Sequence, residues 1–103
     1  MYEMNLQEMI DKDYEPLIPI FKKNQKEVIV AMEEALSVCN YKEIKFLTHR
    51  LCGTANNYGF RQLGQLGSDL DDLTDLEEKE KMYQLLNEMK LYLDKVKITY
   101  VEI

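Results

Sequence analysis

The chain has 103 residues, 46% hydrophobic and 31% charged, with a net charge of −6. One domain with a real core fits these figures; two domains and a wholly disordered chain do not. The acidic balance repels phosphate backbones and anionic lipid, so neither nucleic acid nor a membrane surface is an expected partner.

Helical segments follow one another along the chain, with no strand pattern. A short first helix is predicted over Leu6, Met9 and Ile10, ending near Asp11–Asp13. The second begins between Pro16 and Pro19, and the cost of proline beyond a first turn favours the later start. Its apolar stripe is Phe21, Val28, Ala31, Ala35 and Val38, with Leu17 added if the helix begins early. One gap in the stripe falls at Asn24. Asn40 is read as the stop. The third helix runs from about Lys42 to Tyr58 on the stripe Ile44, Leu47, Thr48, Leu51, Ala55 and Tyr58, with Gly59 as a left-handed cap. The fourth uses Leu63, Leu66, Leu70 and Leu73 behind Phe60, and is expected to break at Thr74–Asp75. Gly64 and Gly67 weaken it and give room for a neighbouring helix. The last begins near Glu77 on Met82, Leu85, Met89, Leu93 and Val96. The β-branched segment Ile98–Ile103 reads as a tail. Short links between helices of similar length predict an all-α, up-down antiparallel four-helix bundle with a short additional N-terminal helix. Residues 1–103 are one domain, with the bundle core at roughly 14–97.

No apolar run reaches the ~18 residues of a membrane span, and no leader opens the chain, so a cytoplasmic protein is expected. Two cysteines in this context read as free thiols. There is no Gly-rich phosphate loop, no G-x-S-x-G and no C-x-x-C, and a single His excludes a His-rich metal site. No cofactor is expected, and no ATP site of its own.

The single His is the residue to explain. With the apolar stripe of the third helix turned inward, the helical phase of about 100° per residue turns His49 to solvent. Lys42, Lys45, Phe46, Gly53 and Asn56 share that face, and Cys52 lies at its edge. The patch reads as basic in an acidic chain. Gly53 costs a helix on the order of 1 kcal/mol relative to Ala, and close approach by a partner would justify it. On periodicity alone the plainer readings stand beside this one: His49 as a solvated side chain, Gly53 as a helix-packing site, Lys42 and Lys45 as solubilising charges, Cys52 as an edge-of-core residue.

The stretch His49-Arg50-Leu51-Cys52-Gly53-Thr54-Ala55, followed by Tyr58-Gly59-Phe60 and Leu63, resembles the histidine-containing phosphotransfer (HPt) domain family. The His, Leu51, Gly53, Thr54, Ala55 and Gly59 fit its pattern, and the likeness spans roughly residues 14 to 96. It implies a phosphorelay carrier in two-component signal transduction, with His49 as phosphoacceptor. Nε2 would attack the aspartyl phosphate of a response-regulator receiver domain, and the phosphoryl group would pass to another receiver; a hybrid histidine kinase is an alternative donor. The receiver would supply the Asp, a Mg²⁺ and its own Lys. One position departs: where the family carries Lys three residues after the His, this chain has Cys52. Lys45 and Arg50 are the candidate substitutes. Asn24 falls where some members place an amide near the active His.

Phosphoryl transfer rests mainly on positioning and charge stabilisation, and a neutral imidazole, titrating near ~6.5 when unperturbed, is already a nucleophile. Two other readings compete. A phosphorylation-independent receiver-binding module would keep the docking face without the transfer, and Cys52 favours it. A metal or redox site using His49 and Cys52 would need further ligands from elsewhere.

Overall fold

A computed structural model describes residues 6–102. Among these residues the chain forms strand β1 (Gln7–Asp11), a 3-10 helix (Lys12–Leu17), helices α1 (Ile18–Ser37), α2 (Tyr41–Tyr58), α3 (Arg61–Asp75) and α4 (Lys79–Lys95), and strand β2 (Lys97–Val101). The fold is therefore mostly helical, with one small parallel sheet joining its two ends.

The helices follow from the sequence in most respects. α1 starts at Ile18 with Pro19 in its first turn, where a missing N–H costs nothing. Its buried face is Ile18, Phe21, Gln25, Ile29, Met32, Ala35 and Leu36, rotated from the expected stripe. Val38 and Leu17 are exposed. The gap at Asn24 arises because a polar residue, Gln25, takes the buried place there. Asn40 is not the stop. The turn is made at Cys39, with φ of 55°, and Asn40 caps the next helix by accepting from Glu43 N at 3.2 Å.

Gly59 closes α2 in the left-handed region at φ 91°. α3 runs through Thr74, whose hydroxyl donates back to Leu70 O at 2.7 Å. Thr74 therefore stays helical, and the reversal falls instead on Glu77, with φ of 52°. α4 buries Met82, Leu85, Leu86, Met89, Tyr92 and Leu93.

The chain ends correct the sequence reading most. Residues 7–11 are a strand, not a helix, and the segment after Val96 is a strand, not a tail; Ile103 lies outside the described residues. β1 and β2 run parallel, with Gln7 opposite Lys97 and Asp11 opposite Val101. Glu8 and Ile10 point inward. Glu8 Oε2 accepts from Tyr92 Oη and from Gln62 N, each at 2.9 Å. Phe60 offers α3 no side-chain cap, so this carboxylate from β1 serves one of the orphan N–H groups at the start of α3. The sheet thus pins α3 in place, and α3 forms one wall of the candidate site.

Each helix packs against its neighbours in the chain, and α4 closes against α1. Pairs across α1 and α4 join Lys26 to Asp94 and Glu33 to Lys90. Low numbers meet high ones, so these two helices are antiparallel. No helix among the described residues is long and apolar enough to cross a membrane.

Candidate functional site

The seam between α2 and α3 is a ladder of five contacts made by four residues of each helix. Asn56 meets Gly64 and Cys52 meets Gly67, and a Cβ at either glycine would overlap the facing side chain. Further along, His49 meets Asp71, and Lys45 meets Asp71 and Asp75. The order is antiparallel. Each partner recurs every three or four residues, the spacing of one helical face. Glycine occurs on α3 where α2 sends a side chain across, and aspartate where α2 sends a cation or an imidazole.

His49 emerges at the outer lip of this seam with 69% of its side chain exposed, as its phase predicts. Its Nε2 lies 3.4 Å from Asp71 Oδ1. The same oxygen lies 3.1 Å from Lys45 Nζ and is covered from solvent. Lys45 also bonds Asp75, and the two carboxylates, Asp75 foremost, hold its ammonium above the usual lysine range. The expected basic patch is therefore corrected. Lys45 does not stand free beside His49 but is neutralised by two aspartates of α3.

The remaining candidates fall on different sides of His49. Cys52 turns into the seam and reaches Gly64 O at 3.6 Å. Burial, then the nearby Asp71 charge, push its thiol up, which keeps it a neutral packing group. Asn56 lies in the seam against Gly64, not on an open face. On the open side stand Phe46, 58% exposed, and Arg50, whose guanidinium sits 5.7 Å from the Phe46 ring centre. Gly53 is there too, and nothing lies within 4 Å of where its Cβ would be. Lys42 is exposed near the start of α2. Asn24 lies on α1, lining the α1–α2 groove with Arg50 and Thr54.

Asp71 is the residue that reading α2 alone misses. Its signal was present in α3: Gly64, Gly67 and Asp71 share one helical row. The glycines were already read as a place of close approach, so the next residue of that row had to face α2 as well.

No family model, curated protein or solved structure matches the chain. The site is read on its own geometry.

Proposed function

We propose that this chain is a histidine phosphotransfer protein, an up-down four-helix HPt-like carrier that takes a phosphoryl group on His49 and passes it to an aspartate of a response-regulator receiver domain. One observation carries the reading. The chain's single imidazole stands exposed mid-helix, one turn before a glycine around which an added side chain would meet nothing. Gly53 thus has no packing role within the domain to offset its cost in helix stability. A flat, unobstructed helix face beside a nucleophile is what a partner's active site needs for close docking, and exposed Phe46 supplies apolar surface next to it.

In the reaction, an imidazole lone pair attacks the phosphorus of the receiver's aspartyl phosphate. The P–O bond to the aspartate breaks and the carboxylate leaves with its electron pair. The Mg²⁺ that offsets charge belongs to the receiver, which acts as kinase-independent donor or acceptor. The chain contributes position and little else.

The test is incubation with a receiver domain phosphorylated by acetyl phosphate in the presence of Mg²⁺. The readouts are a phosphate-affinity gel and acid lability of the label. Acid-labile label on the native chain and none on His49→Gln is the expected result. One observation favours the second reading, a receiver-binding module without transfer: Cys52 is turned away from His49, and Lys45 is occupied by Asp71 and Asp75. Receiver binding with no label on either protein would select it.

A further inference from the structure

We propose that the groove between α1 and α2 receives a basic side chain, lysine or arginine, of the docked receiver, and that Gln25 and Glu27 accept its N–H donors. The inference rests on the receiver docking against α2 proposed above, and names what the receiver brings there.

Gln25 is the observation that carries it. The residue is 4% exposed, yet its Oε1 is covered and has no hydrogen-bond partner. Native folds pair nearly all such atoms, and each exception calls for a reason. The rest of the buried face of α1 is apolar, so a leucine or methionine would fill the same place with nothing left unpaired. An amide kept where it weakens the fold is explained if a donor reaches it from outside. The groove is the route: it encloses about 420 Å³, and Gln25 lines it. The last torsion of a glutamine is soft, so the amide oxygen turns to a donor in the groove without moving its stem.

The rest of the groove states what that donor is attached to. Val28, Leu47 and Leu51 line it and suit an aliphatic stem. Glu27 stands exposed on the same groove and enters no ion pair among the described residues. Arg50 lines the groove as well, but its guanidinium rests 5.7 Å from the Phe46 ring centre. A stem of methylenes ending in charged N–H donors describes lysine and arginine. Arg50 also connects the groove to the open face of α2. A partner lying over Phe46 and Gly53 therefore borders the groove directly.

The test measures binding of the unphosphorylated receiver by titration calorimetry, beside the phosphate-affinity gel, for the native chain, Gln25→Leu and Glu27→Gln. Gln25→Leu loses an unpaired acceptor, so its urea midpoint should equal or exceed the native one, while receiver binding weakens roughly fivefold or more. Glu27→Gln should weaken binding by about two- to fivefold and flatten its dependence on salt. A purely structural Gln25 gives the reverse: Gln25→Leu destabilised, with binding unchanged. That result, or native binding by a stable Gln25→Leu, would overturn the proposal. Gln25→Met is the second apolar replacement, and failure of both to fold would likewise make Gln25 structural. Weaker binding in Gln25→Leu, with native affinity and salt dependence in Glu27→Gln, would exclude the basic side chain in favour of a neutral donor. A receiver that binds and labels the native chain and Gln25→Leu alike removes this inference and leaves the carrier function standing. A receiver that neither binds nor labels the native chain removes both.

Discussion

Glu8 and Asp71 are both carboxylates reaching from one element to serve another, and they end in opposite conditions. Glu8 is nearly sealed, 9% exposed, between the Tyr92 hydroxyl and the first turn of α3. Asp71 sits at a surface seam, 27% exposed, with one oxygen shared between a lysine and an imidazole. The first contact joins Tyr92 and α3 inside the fold, and its loss strands donors away from water. The second lies at a surface seam with His49 mostly in solvent, so its loss should cost the fold less. Burial decides which of the two similar contacts serves stability and which, on the proposed function, borders the reacting residue.

The largest effect should come from breaking the buried member. Glu8→Ala leaves the Tyr92 hydroxyl and an α3 N–H without their carboxylate. Each stranded donor costs on the order of 1–3 kcal/mol, so a loss of about 2–4 kcal/mol is expected. At roughly 4–8 °C per kcal/mol for a domain near this size, thermal unfolding should show it as a drop of about 10–30 °C. Asp71→Asn should stay within about 0.5 kcal/mol of the native chain. Equal losses in the two variants would mean that burial does not separate them.

The same pair gives a pH test. Burial, then the hydrogen bond to Glu8, hold the Tyr92 phenol well above its ordinary range. The folded chain keeps that proton when the unfolded chain, with its phenol near ~10, has lost it. The contribution to stability is whole below pH ~10 and falls as the pH rises beyond it. Urea midpoints measured at about pH 8 and about pH 11 should therefore decline in the native chain. Tyr92→Phe should show a shallower decline from a lower starting value. An equally steep decline in Tyr92→Phe would assign the alkaline loss to other groups.

The glycines extend the comparison to the two sides of α2. Gly53 faces open space, so Gly53→Ala should stabilise the helix by up to ~1 kcal/mol. Gly64→Ala and Gly67→Ala place a methyl against Asn56 and Cys52 and should destabilise by roughly 1–3 kcal/mol. On the proposed function, the larger Gly53→Gln should also weaken receiver transfer while the fold stays intact. Denaturant melts and the phosphate-affinity gel read both effects.

How far these features were legible depends on how local their signal is. The four helices are written in apolar positions three and four apart, and Gly59 marks its own left-handed cap. The outward phase of His49 and Gly53 follows from the stripe of α2 alone. The strands have no such signature. In β1 the inward residues are Glu8 and Ile10, and a buried glutamate masks the alternation that marks a strand. The partner strand is some ninety positions away in the chain. Asp71 was lost for a different reason: its signal lies in the row Gly64, Gly67, Asp71 of α3, which a reading of α2 alone does not reach. Cys52, read at the edge of the His49 face, is half-buried there and displaced toward α3.

That last displacement shapes the smallest prediction. The resemblance treats position 52 as the place for a cation beside the phosphoryl group, yet the native side chain points into the seam against Gly64 and Gly67. Cys52→Lys must turn its chain outward from a half-buried position, which a long flexible stem allows. The substitution loses the packing of the thiol and gains an ammonium near His49. Two unit charges a few Å apart at a protein surface attract by a few kcal/mol before screening, and exposed pairs retain at most about 1 kcal/mol. A gain of roughly fivefold in the lifetime of phospho-His49 or in transfer rate is the upper expectation. Lys45→Ala should act oppositely on the phosphorylated form, although Asp71 and Asp75 already occupy that ammonium, so its effect should be smaller still. Added salt should shrink both differences. A time course of receiver-to-His49 transfer for the native chain and the two variants, at low and moderate salt, measures them. Identical time courses for all three would mean that no cation of this chain acts on the phosphoryl group, leaving charge stabilisation to the partner's Lys and Mg²⁺.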